Sequence, residues 1–254
     1  MIRITSTGNK AVKEVRELIK KAKVRREKGL FVAEGERLCA EIPEDRIEEI
    51  FLADGYHGRM PEGISEDDPR ILTVSLEVME AMSDTKTSQG ILCVVRQKTY
   101  ERLQGDFFMI LENLQDPGNM GTIFRTAEAA GVNGIIMNRE CVDLYSPKVV
   151  RSTMGAMFRM PFLIVPDLQE EVRRLKSEGV QVYAAHLKGT KNHFQFDYHT
   201  PTAFMIGNEG NGLSDELSSL ADQYLRIPMH GKTESLNAAV AATVLMYEVL
   251  RQRT

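Results

Sequence analysis

Three stretches concentrate the side chains and turns that could do chemistry. ENLQDPGNMGTIFRTAEAAGV, Glu112 to Val132, sets Asn113, Asp116, Pro117 and Asn119 in a turn and then opens a helix with Arg125 two turns in. GNEGNGLS, Gly207 to Ser214, is a turn rich in glycine and asparagine that carries Glu209, and PMHGKTESLN, Pro228 to Asn237, ends on Ser235, Leu236 and Asn237. The second stretch has the glycines of a phosphate cradle, but it lacks G-x-x-x-x-G-K-[ST], is spaced G-x-x-G-x-G rather than G-x-G-x-x-G, and places Glu209 where it would repel a phosphate. A turn that offers backbone N–H and C=O groups to a neutral or cationic ligand fits better. Plainer readings stand beside these: Arg125 as an ion pair with Glu128, Asn119 and Ser235 as helix caps, Glu209 as a cap on the turn that follows it.

The elements that must position these stretches can be read from hydrophobic periodicity. Short apolar runs at Phe107 to Leu111, Gly134 to Met137, Phe162 to Val165, Val180 to Ala184, Ala203 to Ile206 and Tyr224 to Ile227 alternate with helical patterns. Such alternation predicts a parallel sheet covered on both faces, with its ligand at the carboxyl ends of the strands, where the three stretches lie. The closing stretch ESLNAAVAATVLMYE, Glu234 to Glu248, predicts a helix whose Ala238, Ala239, Ala241 and Ala242 leave it nearly bare for close approach. Before the sheet, the pattern predicts a small α/β domain: a helix from Asn9 to Glu27, a strand at Leu30 to Ala33, a helix opening at Glu34, a strand at Ile47 to Ala53, a loop to Pro69, a helix at Leu76 to Met82 and a strand at Ile91 to Val95. The polar stretch QKTYERLQGD, Gln97 to Asp106, reads as the linker, giving domains at 1–96 and 107–254.

With 254 residues, 43% hydrophobic and 27% charged, the chain can bury two cores. Its apolar runs are too short for a membrane span and no signal peptide is evident, so a cytoplasmic protein is expected. Cys39, Cys93 and Cys141 are widely spaced in apolar contexts and suggest buried thiols rather than disulfides or a metal site. The net charge of −4 divides unevenly, since residues 1–30 carry ten Lys/Arg against three Glu, a net +7 on a body of −11. This suggests a docking surface for a polyanion, with Lys13, Lys20, Lys23, Arg25 and Arg26 as its cations. A solvated amphipathic helix with Val12, Val15, Leu18, Ile19 and Ala22 on its apolar face accounts for the charge equally well.

In this order and with these residues, the three stretches resemble the motifs of the SpoU branch of the SPOUT RNA methyltransferases, the ribose 2′-O-methyltransferases related to TrmH. Asn113 to Gly131 is similar to the first family motif, Ile206 to Ser214 to the second, and Ile227 to Asn237 to the third. Asn9 to Leu38 resembles the L30e-like substrate-binding domain that precedes the catalytic domain in rRNA-directed members. The resemblance covers essentially the whole chain. It implies an α/β fold with a trefoil-knotted parallel-sheet catalytic domain, S-adenosylmethionine as cofactor, RNA as substrate, with rRNA favoured over tRNA by the extra domain, and a homodimer. A helix threaded through a knot needs small side chains, which would account for the alanines before Leu245.

By the same resemblance the cofactor is held near Gly207, Asn208, Glu209, Gly212, Ile227, Met229 and Leu236, mainly through main-chain groups. Arg125 takes the position of the family's catalytic arginine, with Asn113, Ser235 and Asn237 as polar companions. A guanidinium rarely gives up its proton in a protein, so Arg125 suits a phosphate clamp that stabilises developing negative charge better than a base. None of the five histidines falls at a family catalytic position, although His230 is close. The third motif continues as Asn-Ala-Ala where many relatives of that family carry Asn-Val-Ser, so a hydroxyl is missing at Ala239. An RNA-binding assembly factor without catalysis and a tRNA methyltransferase are the alternatives.

Overall fold

The computed structural model describes residues 2–186 and 188–254. In chain order its strands are β1 (Ile2–Ile4), β2 (Leu30–Glu34), β3 (Ile47–Ala53), β4 (Ile71–Val74), β5 (Ile91–Arg96), β6 (Phe107–Leu111), β7 (Gly134–Asn138), β8 (Phe162–Val165), β9 (Gln181–Ala185), β10 (Lys191–Asn192), β11 (Thr202–Ile206) and β12 (Gln223–Arg226). The helices are α1 (Lys10–Lys20), α2 (Ala22–Lys28), α3 (Glu36–Cys39), α4 (Leu76–Met82), α5 (Pro117–Ala129), α6 (Pro147–Ser152), α7 (Ala156–Arg159), α8 (Leu168–Ser177), α9 (Asp215–Ser218) and α10 (Ala238–Arg253). They form two units, one of residues 1–98 with 143–158, the other of residues 99–142 with 159–254.

The first unit is built on a mixed sheet in the order β1-β4-β3-β5-β2, parallel from β1 to β3 and antiparallel from β3 to β2. Val12, Val15 and Leu18 of α1 and Val78, Met79 and Met82 of α4 are buried against Val32, Phe51, Val74, Leu92 and Val94 of that sheet. The single helix expected over Asn9 to Glu27 is two helices, broken at Lys21, whose φ of −121° and ψ of 106° are extended. Arg25 turns back across the break, and its Nη1 donates to the carbonyls of Leu18 (2.5 Å) and Ile19 (2.9 Å), which a continuous helix would have bonded itself. Glu34 ends β2 instead of opening a helix, and α3 starts at Glu36. Strands β1, β4 and β10 were not predicted; they hold three, four and two residues, too few for an alternating pattern.

Residues 143–158 of this unit dock through aromatic and charged contacts. The Phe31 ring lies 4.9 Å from that of Tyr145, the Arg46 guanidinium stands 5.4 Å from the centre of the Phe158 ring, and Arg151 pairs with Asp84 at 2.8 Å.

The second unit is a seven-stranded sheet in the order β10-β12-β9-β11-β6-β7-β8, with every pairing parallel. All five residues of β6 and all five of β11 are buried, as central strands covered on both faces must be. Phe108 and Ile110 face the cluster formed with Leu168, Val172 and Leu175 of α8 and Leu217 of α9. Their alternate, Phe107, packs edge-on to Phe204, which in turn meets Tyr183 and Tyr198. Helix α10 packs on α5 and β11 with Ala239 and Ala242 fully buried, so the bare alanine surface serves close packing. Among the described residues no helix is long and apolar enough to cross a membrane.

Candidate active site

The three motif stretches leave the carboxyl ends of β6, β11 and β12 and are hydrogen-bonded to one another. At the end of β6, Glu112 is almost fully buried and accepts from the backbone N–H (2.7 Å) and the hydroxyl (2.6 Å) of Ser214. Asn113 follows with a left-handed φ of 54°, tolerable for asparagine. Its N–H donates to Asn138 Oδ1 (3.0 Å), and its Oδ1 accepts from Asn138 Nδ2 (2.7 Å). Asp116 then caps α5, accepting from the Asn119 N–H at 2.8 Å, with Pro117 in the first turn, where its missing N–H costs nothing.

After β11 the chain folds tightly on itself. A Cβ at Gly207 would lie 2.1 Å from the Gly212 carbonyl carbon, so only glycine fits, while Gly212 itself adopts a φ of 71°. Asn208 and Gly212 exchange backbone hydrogen bonds of 3.0 and 2.9 Å. The Asn208 side chain accepts from the N–H groups of Gly210 (2.9 Å) and Asn211 (3.1 Å) and donates to the Asn113 carbonyl (2.8 Å). Asn208 is thereby committed to shaping the loop. Glu209 reaches back to the first stretch, where its carboxylate accepts from the N–H groups of Gln115 (3.1 Å) and Asp116 (2.9 Å) and from Asn119 Nδ2 (3.0 Å). Partial burial pushes this carboxyl up, but hydrogen bonds from Asn119, from the Asp116 and Gln115 N–H groups and from its own backbone N–H outweigh that and hold it below the usual carboxylate range. Glu209 therefore latches the start of α5, a task beyond capping the turn that follows it.

The third stretch closes the arrangement. Asn237 caps α10 by accepting from the N–H groups of Ala239 (2.9 Å) and Val240 (3.2 Å), and its Nδ2 donates to Asn119 Oδ1 (2.9 Å). One amide, that of Asn119, thus bridges Glu209 of the second stretch and Asn237 of the third. Its role was missed in the sequence, where it read as a turn residue or a cap. The signal was present, because Asp-Pro at N-cap and N1 already supplies the cap and leaves the Asn119 side chain three residues in without that task.

Arg125 lies on the exposed side of α5 and makes no hydrogen bond or ion pair among the described residues. Its expected alternative partner, Glu128, is engaged by Arg159, with Arg159 Nη2 3.1 Å from Glu128 Oε2. Ser235 and His230 are exposed. Ile227, Met229 and Leu236 are half-buried, and their backbone N–H groups donate to no backbone carbonyl among the described residues. That combination suits a flat, polar-edged ligand: an apolar slot with main-chain groups to hydrogen-bond.

In the first unit, Lys13, Lys20, Lys23 and Arg26 are exposed, as a phosphate-binding face requires. Arg25 is not available for that use. It is 4% exposed, and besides the two helix carbonyls it pairs with Asp143 at 2.5 Å, so its position in a basic run reflects a structural ion pair. Arg16 was overlooked; it lines one groove with Lys13, Glu17, Lys20 and Lys21, and its spacing from Lys13 and Lys20 is that of a single helix face.

Residues 106–247 match the model of the SpoU rRNA Methylase family, and residues 9–93 match the MRM3-like substrate binding domain. The chain is 32% identical to the 23S rRNA (guanosine(2553)-2′-O)-methyltransferase RlmP of Bacillus subtilis over 98% of its own length and 99% of that protein. It is 34% identical to an uncharacterized tRNA/rRNA methyltransferase of Synechocystis over 98% of its own length and 94% of the relative. Among solved structures, the AdoMet-bound rRNA methyltransferase from Sinorhizobium meliloti superposes with a TM-score of 0.85 at 31% identity, covering 99% of this chain and 98% of the other.

Proposed function

The chain belongs to the SpoU rRNA methylase family and is an S-adenosylmethionine-dependent rRNA ribose 2′-O-methyltransferase; we propose that its target lies in 23S rRNA and that the three interlocked stretches are its active site. The observation that carries the site assignment is Asn119, whose single amide ties Glu209 to Asn237 and fixes the three stretches as one body.

Gly207, Asn208, Glu209 and Gly212 form the rigid wall of the cofactor site, and the main-chain groups of Ile227, Met229 and Leu236 hold the adenine. Bound there, S-adenosylmethionine supplies an electrophilic sulfonium methyl. The chain's own part is to place the ribose oxygen in line and to favour its negative charge. Arg125, a guanidinium without a partner among the described residues, clamps the phosphate beside the target ribose and stabilises that charge. Asn113, Ser235 and Asn237 supply the polar contacts around it.

In the same reading, residues 1–96 bind RNA through Lys13, Arg16, Lys20, Lys23 and Arg26, residues 97–106 link, and residues 107–254 carry out the transfer. The protein acts in the cytoplasm as a homodimer. Val240 and Tyr247, 48% and 47% exposed on α10 and seven residues apart, lie on one helix face and give the second subunit an apolar surface.

The test is incubation with methyl-labelled S-adenosylmethionine and separately purified 23S rRNA, 16S rRNA and tRNA. Label in 23S rRNA is expected. Label confined to tRNA would overturn the choice of substrate, and absence of label from every RNA, with RNA binding intact, would make the chain an assembly factor.

A further inference from the structure

We propose that Asn138 is a positioning residue of this site, turned by the Cys141 thiol, and that it fixes which end of the Asn113 side-chain amide faces the RNA. The inference rests on the proposed role of Asn113. Asn138 lies at the end of β7, outside all three motif stretches.

Its side chain has four hydrogen-bond capacities, and the surroundings dictate their use. Asn138 Oδ1 receives the Asn113 N–H at 3.0 Å, and the Cys141 Sγ lies 3.2 Å from the same oxygen. The thiol's other acceptor, the Leu111 carbonyl, is farther away at 3.6 Å, and the sulfur itself accepts from the Leu114 N–H at 3.3 Å. Sulfur with an N–H on one side has its proton directed to the other, toward Asn138. Burial pushes the Cys141 thiol up to about 11, so it remains a protonated donor at neutral pH.

With Oδ1 of Asn138 receiving two donors, its Nδ2 is left to point at Asn113, and it donates to Asn113 Oδ1 at 2.7 Å. The Asn113 amide is therefore held with its oxygen inward. Its Nδ2 makes no hydrogen bond among the described residues and is the end presented outward, a donor suited to an oxygen that gains negative charge. The same pair of bonds pins Asn113 at its left-handed φ.

An isosteric change inverts this logic. In Asn138→Asp the side chain still accepts the Asn113 N–H and the thiol proton, but its second oxygen can no longer donate, so the Asn113 amide must turn its Nδ2 inward and present an acceptor. Asn138→Ala releases the amide without inverting it.

The experiment measures single-turnover methyl transfer at saturating cofactor and RNA, together with S-adenosylmethionine affinity and melting, for Asn138→Asp, Asn138→Ala, Asn113→Ala and the double variant Asn138→Asp/Asn113→Ala. The expected result is a loss of rate of about 100-fold for Asn138→Asp and about 10-fold for Asn138→Ala, with cofactor affinity near that of the unaltered protein in every variant, melting lowered in the alanine variants by the bonds they remove, and no further loss of rate in the double variant beyond Asn113→Ala. Unchanged transfer by Asn138→Asp beside a slow Asn113→Ala would overturn the positioning role and leave the role of Asn113 standing. An Asn138→Asp loss that persists in full in the Asn113→Ala background would also overturn it, because the effect would then bypass Asn113. Full transfer by Asn113→Ala would remove the premise.

Discussion

Arg125 and Glu209 show how differently two charged residues of one site are employed. Arg125 has no partner among the described residues, so truncating it breaks nothing in the fold. Arg125→Ala is expected to leave S-adenosylmethionine affinity and melting nearly unchanged while single-turnover transfer falls about 100- to 1,000-fold, the usual effect of removing one preorganised charge-stabilising donor. Arg125→Lys should recover only part of that rate, because an ammonium cannot make the two-point contact of a guanidinium. Glu209 is the reverse case, with its carboxylate fully engaged in latching α5. Glu209→Ala removes the acceptor for three solvent-accessible donors, which water can replace, and is expected to lower cofactor affinity while costing stability about 1 kcal/mol or less, measured by calorimetry and denaturant melting. The pH dependence follows in sign: a carboxyl held below its ordinary value contributes stability that is fully present above about pH 4.3 and is lost as the pH falls through the lowered value. Cofactor affinity of the unaltered protein should therefore be flat near neutrality and fail only in acid, whereas Glu209→Gln should remove that acid limb.

At the scale of elements, six of the seven strands of the parallel sheet were legible because each is an apolar run bounded by turn residues, β10 with its two polar residues being the exception; the run Phe107 to Leu111 coincides with β6 residue for residue. Less legible were features decided by contacts far away in sequence. The hydrophobic face Val12-Val15-Leu18-Ile19-Ala22 gives no hint of a break, because the break at Lys21 is stabilised by Arg25, which is itself anchored by Asp143, 118 positions along the chain. The three motif stretches could be located, but the bond from Asn119 to Asn237 could not, since nothing local to either residue specifies it. Arg25 consequently belongs to the fold, unlike its exposed neighbours Lys23 and Arg26. Arg25→Met leaves Asp143 partly buried without its partner and uncaps two carbonyls, so it should cost about 3 kcal/mol in denaturant melting. The salt dependence of RNA binding should stay unchanged.

For the molecule as a whole, the net charge of −4 conceals a division between a cationic start and an acidic remainder. Removal of residues 1–96 is a poor test of that division, because residues 143–158 pack on Phe31, Arg46 and Asp84 and would lose their support. Reversing the charges of Lys13, Arg16 and Lys20 to Glu leaves the buried face of α1 untouched. It should weaken RNA binding and reduce the slope of log affinity against log salt by about 0.7–0.9 for each phosphate no longer neutralised, with cofactor affinity preserved. In this proposal the interlocked stretches transfer a methyl group to a ribose 2′-oxygen. That transfer is tested most directly by hydrolysing labelled 23S rRNA in alkali and sizing the labelled fragments, because a 2′-O-methyl group removes the nucleophile that alkaline cleavage requires. Label recovered in an alkali-resistant dinucleotide is the result predicted; label recovered in single nucleotides, as base methylation would give, would contradict the account.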